Sequence, residues 1–361
     1  MAEEKPTLVR ADALRQFCED VFVSLGVERG DAHITADVLV AADLRGVDSH
    51  GVARLKRYVD GLKDGVMKVH PRAKTLVEMP ATITIDADGG LGQPVSYRAM
   101  RTALDKAANV GAGFAAVRNS NHYGIAGYYA MMALERDMIG VCTTNSDVLV
   151  VPTFGRKALL GTNPIAVAVP CGRETAFVLD MATSTVPRGK IEVYDRLGKP
   201  MPEGWATDET GRNVTDATRV LKNLNTRAGG GLLPLGGEGE LLSGYKGYGL
   251  ALLVDILSAV LSGAAYSDLV YPKNAEGKPL PANLGHFFGA FRIDAFRPVD
   301  EFKRDMDDLV SRLKGAEKAE GATRIYIAGE KEHEKTLERQ AQGIPLHPKV
   351  VAALTQIGSE Q

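Results

Sequence analysis

The spacing of apolar residues changes along the chain and predicts the order of its helices and strands. Helical spacing runs over Ala13–Leu25 and from Asp31 to about Leu44, and Asp12 and Asp31 can cap these helices. A polar turn then leads into an apolar stripe over Val52–Leu62. Further helical patterns cover 94–110 and 123–136. Short apolar runs bounded by turn residues, which are typical of strands, occur at 82–86, 114–117, 139–144, 158–169 and 176–181.

The last half of the chain begins with a stretch that favours loop structure, because 195–240 is rich in Gly, Pro, Asn and Asp. Beyond it, the patterns predict a strand at 287–293 and helices at 246–262, 299–314, 331–342 and 347–357. Helices at both ends around a strand-rich middle indicate an α/β fold with an inserted domain. We therefore expect three units: a helical one (1–75 with 298–361), an α/β core (76–137 with 241–297) and a strand-rich insertion (138–240).

Composition excludes several classes of protein. The 361 residues are 45% apolar and 24% charged, as in ordinary globular proteins, and the formal net charge is only −2. A balanced chain has no overall field that would attract nucleic acid or an anionic membrane. The apolar run Tyr248–Leu261 contains Asp255 and is shorter than the roughly 20 residues that a membrane span needs. The acidic N-terminus resembles no export signal, so we expect a cytoplasmic protein.

Common catalytic and binding motifs are missing from the sequence. Its three cysteines are far apart and predict neither a disulfide framework nor a metal site. Gly90-Leu91-Gly92 follows a predicted strand, but Val95 takes the third small position of a dinucleotide fingerprint, and no carboxylate for a ribose follows the next strand. An ordinary Rossmann site is therefore not expected. No nucleophile elbow, zinc-protease motif or phosphate loop occurs either.

The turn Asp48-Ser49-His50-Gly51 precedes a helix and is the first candidate site. Helical spacing would gather His50, Arg54 and Tyr58 on the face opposite the apolar stripe. Such a face suits a small acid, because Arg can bind a carboxylate through two hydrogen bonds and His can transfer a proton near neutral pH. A capped helix with a solvated polar face explains the pattern equally well.

A second candidate is the polar run 118–124, which contains His122 and lies between an apolar strand and an apolar helix. Its Asn and Ser residues could simply cap that helix. His122 is nevertheless the other possible acid or base. We favour His50 slightly, because its neighbours on the helix can be named from spacing.

Further polar turns follow predicted strands in the middle of the chain. Ser146, Thr162 and the Asp180–Ser184 turn could bind a phosphate or a sugar, or could merely end strands. Tyr245 and Lys246 open the long apolar helix among glycines, where a helix N-terminus can bind an anion, although close helix packing explains the glycines as well.

Six segments in this order resemble the malate/L-lactate dehydrogenase family that lacks a Rossmann domain. They are DLRGVDSHGVARLKRYVDG, RNSNHYGIAGYYA, LLGTNPIAVAVP, VLDMATSTVPRGK, GYKGYGLALLVDILS and AGEKEHEKTLERQAQGIPL. The sequences of the first two segments are most similar to the malate dehydrogenase branch. Other members of the family are ureidoglycolate, sulfolactate and diketogulonate oxidoreductases.

The resemblance implies a homodimer that binds NAD or NADP, of which we favour NAD, on a mixed to largely antiparallel sheet. By this resemblance His50 or His122 transfers the proton, and Ser49, Arg54 and Tyr58 contact the substrate. We add Thr162 as a substrate contact, and Asp180 as the proton carrier if neither histidine acts. The implied cofactor contacts are Ser146, Asp180, Met181, Ala182, Thr183, Ser184, Tyr245, Lys246, Ala328, Gly329 and Glu330.

The function implied is hydride transfer between NAD(P) and a small 2-hydroxy or 2-oxo acid, with malate and oxaloacetate favoured. Lactate, ureidoglycolate, sulfolactate and diketogulonate are the alternative substrates. A protein that binds a small acid without turnover is the alternative from another class.

Overall fold

A computed structural model describes residues 5–360. Over this range the strands are β1 Thr7–Val9, β2 Lys74–Glu78, β3 Thr82–Asp86, β4 Ala112–Ser120, β5 Met138–Thr144, β6 Ile165–Val169, β7 Phe177–Met181, β8 Ala206–Thr207, β9 Gly231–Leu232, β10 Leu284–Arg292 and β11 Ile344–Leu346. The α-helices are α1 Ala11–Ser24, α2 Arg29–Leu44, α3 Leu55–Lys63, α4 Gly92–Val110, α5 Ala126–Met131, α6 Arg188–Leu197, α7 Ala217–Thr226, α8 Gly244–Asp255, α9 Val299–Lys314, α10 Glu330–Gln342 and α11 Pro348–Ser359.

A seven-stranded sheet forms the centre, in the order β2-β3-β4-β10-β5-β6-β7. Between residues 5 and 360, β3 and β4 form the one parallel pair of this sheet, and its other neighbours are antiparallel. The predicted fold class, a mixed to largely antiparallel α/β fold with helical ends, is therefore confirmed. Because β5, β6 and β7 continue the same sheet as β4 and β10, the boundaries of the three expected units stay a prediction.

Of the four apolar clusters in residues 5–360, three are large. The first joins α4 and α5 to the sheet through residues such as Leu104, Tyr129 and Phe288. The second packs α1, α2 and α3 against β11 and α11. The third lies among α6, α7, β9 and α8, and contains Ile191 and Val220. Burying each such large apolar side chain contributes about 1.5–3 kcal/mol.

The prediction that 195–240 is mostly loop is wrong in part. Helix α7 lies inside this stretch, and Asp216 caps it by accepting a hydrogen bond of 3.0 Å from the amide of Arg219. Its apolar residues Ala217, Val220 and Leu224 face the third cluster. Leu221 packs against the same cluster, and the four apolar residues have the i, i+3, i+4, i+7 spacing of an amphipathic helix. The prediction failed because the composition of the whole stretch outweighed this local spacing.

Candidate active site

Two cavities share a wall near the carboxyl end of β4. The first has a volume of about 400 Å³ and the second about 490 Å³. The residues that line both are Ser49, His50, Gly124, Thr162, Pro164 and Pro187. A molecule in one cavity can therefore meet a molecule in the other beside His50.

The turn that carries His50 is held from two sides. Its sequence folds into two 3₁₀ turns, Asp48–His50 and Val52–Arg54, with Gly51 extended between them. Asp43 of α2, only 2% exposed, accepts a hydrogen bond of 2.8 Å from the amide of Val52. A Cβ on Gly51 would lie 1.9 Å from the Asp43 carboxylate, so this close approach requires glycine.

Arg339 of α10 holds the same turn from its other side. Its Nη1 donates to the carbonyl oxygen of Asp43 and to the carboxylate of Asp48, and the arginine is 8% exposed. Hydrogen bonds from a charged donor are about twice as strong as neutral ones. The last third of the chain thus fixes a turn that the first third contributes.

His50 lies at the junction of the two cavities and is partly buried. Its Nδ1 is 2.9 Å from the Ser49 hydroxyl, and in residues 5–360 its Nε2 has no protein partner. Burial, and then the charges of Arg54 and Arg57, lower the pKa of His50 from 6.5 to about 4. The ring is therefore neutral near pH 7, and Nε2 is the nitrogen that a ligand can reach.

His122 stacks on His50, with ring centroids 5.6 Å apart, and lines the first cavity. Its Nδ1 accepts from the hydroxyl of Tyr58 at 2.7 Å and from the amide of Gly124 at 3.3 Å. Two donors on Nδ1 place the proton of the neutral ring on Nε2. Burial, and then the charge of Arg57, lower the pKa of His122 well below 6.5.

Arginines and a tyrosine form the polar end of the first cavity. Arg54 donates from Nε to the carbonyl oxygen of Ser49 at 2.7 Å. Arg57, one turn further along α3, donates from Nη2 to the Tyr271 hydroxyl at 2.7 Å. Arg188 also lines this cavity, but Glu192 accepts a hydrogen bond of 2.9 Å from its Nε. The cavity therefore presents cationic donors suited to carboxylates.

Ser146, which follows β5, and Thr162, which precedes β6, meet at the side of the first cavity. The amide of Thr162 donates to the Ser146 hydroxyl at 3.0 Å, and the two hydroxyls are 3.3 Å apart. Asn163 accepts from the amide of Ser146 at 3.2 Å. These bonds fix two hydroxyl groups that can still turn towards a ligand.

Asp180, at the end of β7, lines the second cavity. It accepts a hydrogen bond of 2.7 Å from the amide of Gly127. Packing of the surrounding protein raises the pKa of Asp180 to about 6, against the lowering effects of the Gly127 bond and of Arg45. The carboxyl group thus changes charge close to neutral pH.

The sequence-predicted residues divide into three groups by position. Those that line a cavity are Ser49, His50, Arg54, His122, Ser146, Thr162, Asp180, Ala182, Ala328 and Gly329. Tyr58 is buried and reaches the site through His122. Those that line neither cavity are Met181, Thr183, Ser184, Tyr245, Lys246 and Glu330.

The third group has other contacts in this chain. Thr183 donates to the carbonyl of Thr162 at 3.1 Å, and Ser184 donates to the carbonyl of Val186 at 2.9 Å. Glu330 is buried and forms ion pairs with Lys314 and Arg324. Tyr245 and Lys246 are exposed on α8, so their cofactor role stays a prediction.

Sequence reasoning missed Arg57 and Tyr271. Arg57 lies next to Tyr58 in the helix that spacing had already singled out, so a count of all cations on α3 could have found it. Tyr271 belongs to a loop 214 residues further along the chain, and nothing in its neighbourhood pointed to the site.

Within residues 5–360 no group of three or more His, Cys, Asp or Glu side chains is arranged to bind a metal ion. Over the same residues no helix has the length and apolar character needed to cross a membrane.

Comparison with known proteins matches the geometry to one family. The family model described as "Malate/L-lactate dehydrogenase" matches residues 9–355. The malate dehydrogenase of Pyrococcus horikoshii is 50% identical over 98% of this chain and 96% of its own. The L-sulfolactate dehydrogenase of Methanocaldococcus jannaschii is 42% identical over 89% of this chain and 88% of its own. The crystal structure of malate dehydrogenase from Entamoeba histolytica superposes with a TM-score of 0.93 at 35% identity, covering 99% of this chain and 98% of that one.

The chain belongs to the malate/L-lactate dehydrogenase family. This confirms the resemblance seen in the six sequence segments. It also makes the protein an oxidoreductase of the 2-hydroxy-acid dehydrogenase class, and its dehydrogenase relatives imply a nicotinamide cofactor.

Proposed function

We propose that this protein interconverts malate and oxaloacetate with NAD or NADP. The observation that carries the proposal is the meeting of two cavities at His50. Hydride transfer and proton transfer act on one carbon and on the oxygen attached to it, so cofactor, acid and proton carrier must meet at one point. The names of the relatives and the cationic first cavity support malate as the acid.

Arg54 binds the carboxylate next to the reacting carbon in this proposal. It lines the first cavity, and its bond to the Ser49 carbonyl fixes it beside His50. A carboxylate bound there also opposes the charge that lowers the pKa of His50, so substrate binding makes the imidazole more basic. The neutral ring of the free enzyme is the form that removes a hydroxyl proton from malate.

His50 transfers the proton, and His122 orients the oxygen. His50 lines both cavities, whereas His122 lines the first cavity alone. With Nδ1 occupied by Tyr58 and Gly124, the Nε2–H of His122 is fixed as a hydrogen-bond donor. Positioned proton transfer contributes about 10²–10⁴-fold to a rate.

The second cavity fits a nicotinamide ring. Ile125, Pro164 and Leu179 give it apolar walls, and Asp180 supplies a polar group at its edge. Gly329 has φ +90°, and a Cβ there would lie 2.7 Å from Cβ of Val178, so the wall needs glycine. When bound, the nicotinamide donates or accepts the hydride. Ala182, Ala328 and Gly329 would line its binding site.

The proposal includes a homodimer that associates through α8. Leu252 and Leu253 on α8, and Ile256 and Val260 in the π-helical segment Ile256–Val260 that continues it, are between 41% and 57% exposed, and the helix is mostly apolar. Such a helix is usually buried, and a second copy of the chain would bury it. A cytoplasmic location is likewise part of the proposal.

An activity screen tests the function. The reduced cofactor absorbs at a wavelength where the oxidised one does not, so absorbance is followed with NADH or NADPH and oxaloacetate, pyruvate, 3-sulfopyruvate or oxidised ureidoglycolate. We expect oxaloacetate to give the highest kcat/KM, and His50→Gln to lower it about a hundredfold or more. Binding of acid and cofactor without turnover of any pair would contradict the proposal and favour a binding protein.

A further inference from the structure

We propose that Arg57, together with Tyr271, binds the second anionic group of the substrate and makes the site select dianionic 2-oxo acids over monoanionic ones. This inference rests on the proposed function. It assigns a specificity role to two residues that lie 214 positions apart and meet at one wall of the first cavity.

The charge of the first cavity supports the assignment. Five side chains with a permanent charge line it: Arg54, Arg57, Arg188, Asp147 and Glu192. Both acids already have cationic partners, since Glu192 pairs with Arg188 at 2.9 Å and Asp147 lies 3.6 Å from Nη2 of Arg227. Within residues 5–360, Arg54 and Arg57 form no ion pair with a carboxylate. Asp147 acts on Arg57 through its charge, which helps to raise the pKa of Arg57, but its ion pair is with Arg227. Two cations without a paired carboxylate in one cavity match two anionic groups on one ligand.

The two cations are held at different points of the first cavity. Arg54 donates to the carbonyl oxygen of Ser49, the residue next to His50. Arg57 donates to Tyr271 and adjoins Tyr58, whose hydroxyl bonds His122. A substrate with an anionic group at each end can span this pair, which places its reacting carbon between the ends.

Tyr271 fixes Arg57 and adds a donor of its own. Its hydroxyl oxygen accepts the Nη2 bond of 2.7 Å, and the guanidinium carbon lies 5.7 Å from the ring centroid. Burial raises the pKa of Tyr271, so the phenol keeps its proton. Because the oxygen accepts from Arg57, the phenolic proton is free to turn towards a ligand. Arg57 and Tyr271 thus form a site for a carboxylate or a sulfonate.

Partial burial of Arg57 indicates why a ligand is expected there. Removing a charge from water is costly unless a partner compensates for it. The hydrogen-bond partner of Arg57 among residues 5–360 is a neutral hydroxyl. A second anionic group on the substrate supplies the missing charge, and a methyl group in its place would leave the guanidinium partly desolvated.

The test compares oxaloacetate with 2-oxobutyrate, in which a methyl group replaces the second carboxylate. For Arg57→Met we expect kcat/KM for oxaloacetate to fall by about ten- to a hundredfold, the effect of losing a charged hydrogen-bond partner. The value for 2-oxobutyrate should change less than about threefold. Arg57→Lys should recover part of the loss, and Tyr271→Phe should reproduce a smaller part of it.

Lys56→Met is the matched control. Lys56 precedes Arg57 on α3, is exposed and pairs with Asp60 at 2.7 Å, so this variant removes a neighbouring charge outside the cavity. We expect it to leave the ratio of the two kcat/KM values unchanged. A control that moves the ratio as much as Arg57→Met would overturn the assignment, because long-range charge would then explain the selectivity.

Inhibitor binding separates this inference from the proposed function. Hydroxymalonate has two carboxylates and oxamate has one, and their dissociation constants need no turnover. Arg57→Met should weaken hydroxymalonate at least tenfold and oxamate little. Equal losses for both inhibitors, or no loss for either, would overturn the role of Arg57 even if the enzyme reduces oxaloacetate. Wild-type protein that turns over no 2-oxo acid would contradict the proposed function, whereas selective loss of hydroxymalonate would still support this site.

Discussion

The hydroxyl of Tyr58 offers the sharpest way to distinguish the two histidines. Tyr58 is 0% exposed, and its hydroxyl donates to Nδ1 of His122 at 2.7 Å. In Tyr58→Phe the ring keeps its packing, and only this bond is lost. The change therefore acts on His122, while the 2.9 Å contact of His50 with Ser49 stays in place.

The size of the effect follows from one neutral hydrogen bond, which contributes about 0.5–1.5 kcal/mol. That range corresponds to about a 2- to 13-fold loss of kcat/KM, caused by poorer orientation of His122. A donor on Nδ1 favours the neutral ring, so its removal raises the pKa of His122. If His50 transfers the proton, the rate falls but the acid limb of the pH–rate profile for malate oxidation does not move.

The assay is kcat/KM for malate oxidation between pH 4 and 9 in both proteins. The free enzyme should show an acid limb below pH 6, because the pKa of His50 is lowered to about 4. Tyr129→Phe is the control, since this tyrosine is equally buried and its hydroxyl donates to the Tyr123 carbonyl at 2.6 Å without touching a histidine. An acid limb that moves to higher pH in Tyr58→Phe alone would refute our assignment and make His122 the proton carrier.

Three further predictions follow from the surroundings of the site. Arg339→Met removes the charged hydrogen bonds to Asp43 and Asp48, so we expect kcat to fall about tenfold or more and the amide hydrogens of 46–54 to exchange faster. Arg339→Lys should recover part of both losses. Unchanged amide exchange would show that α10 does not hold the turn. Because the pKa of Asp180 is raised to about 6, its carboxylate forms as the pH rises through 6, and the affinity for the positively charged oxidised cofactor should rise with it. Calorimetric titrations should show that Asp180→Asn abolishes this pH dependence of affinity. A pH dependence that persists in Asp180→Asn would assign the titration to another group. Ile256→Asp should convert a dimer to a monomer in light scattering, and a wild-type protein that is itself monomeric would exclude an interface through α8 and the segment 256–260 that continues it.

Much of the fold could be predicted because its elements have strong local signals. The strand at 82–86 and the helix at 299–314 have the predicted bounds, and both show a clear period in their apolar residues. The stripe of Val52, Leu55, Val59 and Leu62 is buried as expected. The short strands β1 and β11, which pair with each other in a separate two-stranded sheet, were missed. A strand of three residues is too short to show an alternation of apolar and polar positions.

The candidate site was predicted in outline only. Spacing placed His50, Arg54 and Tyr58 on one helical face, but residues 48–54 form two 3₁₀ turns around an extended Gly51. Tyr58 consequently lies in the core, where it contacts His122. Arg57 lines the cavity instead of Tyr58, and it contacts Tyr271, which belongs to a loop far away in sequence. Tertiary contacts of this kind leave no trace in the local spacing of residues.

A crystal structure with reduced cofactor and oxamate bound would show whether cofactor, acid and histidine meet where the two cavities join. We expect the nicotinamide to occupy the second cavity and the oxamate carboxylate to contact Arg54. We also expect the carbonyl oxygen of oxamate to lie within hydrogen-bond distance of Nε2 of His50. A nicotinamide bound away from the second cavity, for example at the start of α8 beside Lys246, or an oxamate whose carbonyl oxygen contacts neither histidine, would contradict this arrangement.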